Sequence, residues 1–289
     1  MRVLRLLVPL LAVVALGAPT LVASPAADAT PRWAPLATAQ VRPGIQMYTG
    51  NAQCTANYVF TDTAGNVYVG YAAHCASKGS DSDINGCTTP SYGLGTPVDF
   101  GNGGNILVGG TTVAHGKLAY SSWLSMQKAK TKGINRCTWN DLALVKVNPA
   151  DKRKVNPTVP YWGGPRTFGG SPLGPGATLY TVGNSSLRGG SASSATATVL
   201  QRDAAGLGYD IQPNGNGVPG DSGSGFMDST GRAIGVLSTL SVGIGLGGAV
   251  TNTIGDLAQE IFWARLHSGI VGLRLVAGTV PFRASGGVG

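Results

Sequence analysis

The chain has 289 residues, a formal net charge of +8, 43% hydrophobic residues, only 12% charged residues, and 45 glycines. The apolar share excludes a disordered chain. Sparse charge with abundant glycine argues against long surface helices and for many short strands joined by tight turns.

In chain order, Arg2 and Arg5 precede an apolar run over 6–17, followed by small residues at Ser24, Ala26, Ala27 and Ala29. This pattern predicts a secretory signal peptide over 1–29, cut between about 24 and 30. The run is shorter than the ~20 apolar residues that a membrane span needs. Residues 30–40 then form a short N-terminal segment. Strands are expected at 58–60 and 67–69, with the turn residues 62–66 between them making a hairpin. Residues 78–104, rich in Gly, Ser, Asp and Asn, suggest a long loop. Strands are predicted at 106–114 and 119–124, and a basic loop at 127–136. The segment 148–157, polar and punctuated by proline, suits a linker. In the second half, strands are predicted at 178–182, 195–202, 209–212, 233–239 and 248–250. A helix follows, capped by Thr253, with Ile254, Leu257, Ile261, Phe262 and Leu266 on its apolar stripe and Ser268 and Gly269 ending it. The tail over 270–276 is strand-like. The basic clusters at Lys128, Lys130 and Lys132 and at Lys152, Arg153 and Lys154 lack interleaved aromatics, so they suit a solvated face and not a nucleic-acid site.

Four cysteines, Cys54, Cys75, Cys87 and Cys137, form an even set that in an exported chain suggests two disulfides, with three connectivities open. No CxxC or HxxxH spacing supports zinc.

Chemistry concentrates in three short motifs. Gly220-Asp221-Ser222-Gly223-Ser224-Gly225 sets one serine between glycines that let backbone N–H groups approach a substrate oxygen. Ala72-Ala73-His74-Cys75 follows an apolar run. Asp141-Leu142-Ala143-Leu144 opens a strand-like stretch. The order His74, Asp141, Ser222 is one of the three known orders of a Ser-His-Asp triad.

With these motifs the sequence resembles the chymotrypsin-like serine proteases, in feel their secreted bacterial branch, over roughly residues 41–250. The resemblance implies an all-β fold of two antiparallel six-stranded β-barrels with a C-terminal helix. The first barrel would span 41–150 and carry His74 and Asp141. The second would span 158–252 and carry Ser222, with helix and tail over 253–289. The implied activity is peptide-bond hydrolysis, with Ser222 as nucleophile, His74 as base, Asp141 as its orienting acid, and the N–H groups of Gly220 and Ser222 as the oxyanion hole. Cys54–Cys75 and Cys87–Cys137 are the implied disulfides. Asn216, Ser238 and Leu240 would line the substrate pocket, favouring small or medium apolar side chains. Asp221 would need a positive partner, for which the chain offers Arg136 or Arg188. A protein or peptide substrate, no cofactor, no metal, no nucleic acid, no membrane after signal removal, a monomer and an extracellular location complete the expectation. A catalytically silent homologue acting as a binding module is the main rival. An esterase using Ser222, Asp256 and His267 is the second.

Overall fold

The computed structural model describes residues 31–79, 83–105, 107–214, 218–241 and 251–288. The predicted signal segment and the strand expected at 248–250 lie outside these residues. The first half contains β1 (Gln46–Thr49), β2 (Ala52–Thr55), β3 (Val59–Thr61), β4 (Val67–Ala72), β5 (Pro97–Asn102), β6 (Thr111–Ser121), α1 (Ser122–Lys128), α2 (Ile134–Trp139) and β7 (Leu142–Val147). The second contains β8 (Thr167–Phe168), β9 (Thr178–Gly183), β10 (Ser193–Arg202), β11 (Gly208–Pro213), β12 (Gly225–Asp228), β13 (Arg232–Ser241), β14 (Thr251–Asp256), α3 (Leu257–His267) and β15 (Arg274–Leu275).

Two sheets result. The second is a closed six-stranded barrel, β12-β9-β10-β11-β14-β13, sealed by the β12–β13 pairing and extended by β8 alongside β13. The first is a curled half-barrel of eight strands, in the order β15-β3-β4-β7-β6-β5-β1-β2, with β15 from the C-terminal tail added to its edge through Arg274–Thr61 and Leu275–Phe60. Every residue of β4 is buried, which explains why its sequence is a continuous apolar run. The exposed side chains of β6 alternate with Ala114, Gly116 and Leu118, as a half-buried strand requires.

Three local expectations fail for physical reasons. β6 is one strand, bulged between Leu118 and Tyr120, where two were predicted. It stops because the Ser121 hydroxyl accepts the Leu124 N–H and starts α1, which buries Trp123 and Met126. The basic loop contains the end of α1 and the start of α2. The late helix is capped by Asp256, whose Oδ1 accepts from Ala258 and Gln259 N–H, and not by Thr253. Thr253 and Ile254 lie in β14, paired on both sides, and Ile254 belongs to the core of the second barrel. The buried stripe of α3 is Leu257, Glu260, Ile261 and Ala264, while Phe262 and Leu266 are 59% and 63% exposed.

Candidate active site

Asp141 stands at the entrance to β7 with its side chain 1% exposed, and His74 occupies a 3-10 turn that ends β4. The two strands are paired, Ala72 opposite Leu142, so the turn and the acid meet at one end of the sheet. His74 Nδ1 lies 2.7 Å from Asp141 Oδ2, and the His74 backbone N–H donates to Oδ1 at 2.8 Å. The buried Ser238 hydroxyl donates to Oδ2 at 2.7 Å. A carboxylate can only accept, so Nδ1 carries the proton and a neutral imidazole keeps its lone pair on Nε2. The Asp141 N–H donates to Glu260 Oε1 at 2.9 Å.

Cys54 and Cys75 are joined, S–S 2.01 Å, which ties β2 to the His74 turn. Cys87 and Cys137 are joined across 50 residues and tie the loop after that turn to α2, just before Asp141. Cys54, His74 and Cys75 place potential ligand atoms within 4.8 Å of one another, but the disulfide uses both sulfurs and leaves no thiolate for a metal.

Ser222 is half-buried in a loop fastened from several sides. Its carbonyl accepts the Thr55 N–H at 2.8 Å, and Gly223 N–H donates to Leu237 at 2.8 Å. Gly223 has φ +88°, and a Cβ there would lie 2.5 Å from the Thr55 carbonyl oxygen and 2.8 Å from Ala72 N. Only glycine permits this approach to the segment that leads into His74. The Gly220 carbonyl accepts from Thr55 Oγ1 at 2.7 Å and Gln53 Nε2 at 3.2 Å, and the Pro219 carbonyl accepts from the Ser185 hydroxyl. In a trans peptide the N–H points opposite the carbonyl, so anchoring Pro219 aims the Gly220 N–H away from Ser185. Among the described residues, the Gly220 and Ser222 N–H groups have no protein acceptor.

Asp221 finds its positive partner in Arg188, Nη2 to Oδ2 at 2.9 Å and Nε to Oδ2 at 3.1 Å. Ser185 N–H adds a bond to Oδ1 at 3.2 Å. Arg136, the other candidate, stacks over Trp263 instead, 5.0 Å from the ring centre.

Among the expected pocket residues, Ser238 turns its hydroxyl to Asp141 and so does not line a pocket with it. The Leu240 backbone, in β13, pairs with Asn252 of β14, and Asn216 lies outside the described residues. A cavity of about 150 Å³ opens beside the Arg188–Asp221 pair, bounded by Thr181, Ser194, Asn214, Phe226 and Leu237. The esterase constellation does not assemble. Asp256 caps α3 and pairs with Arg202 at 3.3 Å, while His267 stacks on Trp263 with ring centres 3.8 Å apart. Gln53, Thr55, Ser185 and Glu260 carry no motif that marks them in the sequence.

No protein-family model matches the chain, and no curated protein matches it. Among solved structures, a Glu endopeptidase in complex with MPD aligns at a TM-score of 0.50 and 15% identity, over 79% of this chain and 92% of that one. Thermobifida fusca protease A aligns at 0.49 and 18% identity, over 82% and 100%. Cellulomonas bogoriensis chymotrypsin aligns at 0.46 and 16% identity, over 82% and 98%. The first of these, with the closed barrel, the curled half-barrel and α3, assigns the fold. It is the double-barrel fold of the bacterial chymotrypsin-like serine proteases.

Proposed function

We propose that this chain is a secreted serine endopeptidase. Ser222 attacks the peptide carbonyl, His74 takes its proton and returns it to the leaving amine, and Asp141 holds the Nδ1–H tautomer and balances the imidazolium. An acyl-enzyme forms and water releases it. The N–H groups of Gly220 and Ser222 receive the oxyanion, each donor being worth about 2.7–4 kcal/mol of barrier. One observation carries this reading. His74 commits Nδ1 to a carboxylate that Ser238 also holds, while the Ser222 loop is fastened through its carbonyls and its Gly220 and Ser222 N–H groups have no acceptor among the described residues.

In this reading residues 41–150 supply the base and its acid, and 158–252 supply the nucleophile. Asn216 and Leu240 flank a pocket for small or medium apolar side chains, with the Ser238 backbone lying along the substrate. The substrate is a protein or peptide, the chemistry calls for no cofactor, and the enzyme acts as a monomer. Two disulfides support an oxidising compartment, and no helix among the described residues is long and apolar enough to cross a membrane. Both fit export through the 1–29 segment.

The test is fluorophosphonate labelling of the folded, secreted protein together with cleavage of a peptide library. Labelling is expected to vanish in Ser222→Ala and His74→Ala and to persist in His267→Ala. Absence of labelling in the wild type would favour the binding-module reading. Labelling without peptide cleavage would favour an esterase.

A further inference from the structure

Behind Asp141, on the side away from His74, sits a second carboxyl that this chemistry does not use. Glu260 is 1% exposed and occupies the stripe of α3 otherwise formed by Leu257, Ile261 and Ala264. A buried carboxyl in an apolar stripe is unfavourable unless hydrogen bonds answer it. Its Oε1 accepts the Asp141 backbone N–H at 2.9 Å. Gly255 makes the room, since a Cβ there would lie 2.5 Å from Oε1 and 2.6 Å from the Trp139 carbonyl oxygen. Among the described residues, Glu260 Oε2 and both polar side-chain atoms of Asn140 have no protein partner. A cavity of about 10 Å³ lined by Trp139, Asn140 and Glu260 lies among them, room for a single water.

We propose that Glu260 is a positioning residue for the His74–Asp141 pair, fixing the Asp141 backbone and thereby the carboxylate that His74 meets. The inference rests on the protease reading. Asp141 is held at four points: its carbonyl by Ala73 N–H at 2.8 Å, its two carboxylate oxygens by His74 and Ser238, and its N–H by Glu260. Without Glu260 the buried N–H loses its protein acceptor, and a turn of the residue to recover one moves the carboxylate relative to the imidazole. Burial, reinforced by the charges of Asp141 and Asp256, pushes the Glu260 carboxyl well above the usual carboxylate range. Burial thus favours its neutral form, which has an O–H to donate toward the small cavity. The other titratable groups facing it are Tyr120 on β6 and Arg136 on α2. In its neutral form Glu260 holds Asp141 without placing a second negative charge behind the His74–Asp141 pair.

The test compares Glu260→Gln with Glu260→Met in the full secreted protein, by kcat and KM on a peptide ester, fluorophosphonate labelling, and the proton NMR resonance of the His74 Nδ1–H. Gln keeps a carbonyl acceptor and a donor, so kcat should stay within about threefold and the resonance should not move. Met keeps the volume and removes the acceptor. Its kcat should fall roughly tenfold or more with KM within about twofold, and the resonance should shift or broaden. A folded Met variant with wild-type kcat and an unmoved resonance overturns the proposal. Should Met fail to fold, a tenfold loss of kcat in Gln overturns it equally. An unlabelled wild type would sink the protease reading alone, and the resonance comparison would still judge Glu260.

Discussion

Arg188→Met tests how the Ser222 loop is held. The Asp221 side chain is 7% exposed and that of Arg188 32%, and their two bonds to one oxygen span 2.9–3.1 Å. Removing one partner of a buried ion pair costs about 3–5 kcal/mol, because the other charge is left unanswered. Here Arg188 is a third exposed, and the Ser185 and Val218 N–H groups still reach Asp221 at 3.2 and 3.3 Å. The expected loss is therefore lower, about 2–3 kcal/mol, read as a reduced urea midpoint at unchanged slope. Asp221 lies between the two proposed oxyanion donors, so the fluorophosphonate labelling rate should drop roughly tenfold or more. Arg188→Met combined with Asp221→Asn removes the stranded charge and should regain part of the stability. A variant within about 0.5 kcal/mol of wild type and labelled at the wild-type rate would refute the argument. Lost stability with full labelling would show that the pair supports the fold but not the loop.

Two further predictions follow from close contacts and burial. Gly223→Ala places a methyl group against two backbone atoms at a φ of +88°, with no flexible side chain to yield. It should destabilise by at least about 2 kcal/mol and abolish labelling, and a stable, labelled variant would contradict the described approach of the loop to Ala72. Glu260 carries a pH signature. Its pKa is raised in the folded state above the ordinary 4.5, so the folded protein holds a proton that the unfolded chain has lost. Stability from this group is full below about pH 4.5 and falls as pH rises toward the folded pKa, by up to about 1.4 kcal/mol per unit. Glu260→Gln removes that slope, so its stability relative to wild type should improve as pH rises above about 4.5 in denaturant titrations. A difference independent of pH would refute the raised carboxyl.

What could be read ahead of the structure depended on range. β4 was legible because a strand buried on both faces writes its burial as an unbroken apolar run. The His74, Asp141 and Ser222 motifs were legible because their chemistry demands particular neighbours. The start of α3 was not. Ile254 suits a helical stripe and a buried strand equally, and pairing with β11 and β13, remote in sequence, settles it. Arg136 and Arg188 are equally long and charged. The choice between them lies in the 3-10 turn at Ser186–Arg188, where the same Ser185 that starts the turn also bonds Asp221 and the Pro219 carbonyl. Glu260 was hidden for a different reason. In a helical pattern a glutamate reads as the solvent face, and only the missing side chain at Gly255 shows that room had been left for it.

The residues that hold the site converge on one short segment of β2. Gln53 and Thr55 fasten the Gly220 carbonyl, Thr55 N–H fastens the Ser222 carbonyl, and Cys54 between them is bonded to Cys75, next to His74. Alternation along a strand sends Gln53 and Thr55 to one face and Cys54 to the other. Three consecutive residues thus reach the Ser222 loop of one barrel and the His74 turn of the other sheet. The position of Ser222 relative to His74 is then set by a rigid strand and not by the long connection between the halves. Tyr58, whose hydroxyl donates to the Phe226 carbonyl at 2.8 Å, adds a second tie at the second residue of β12. The cation that answers Asp221 inside this loop, Arg188, and the anchors from β2 all come from within the chain itself.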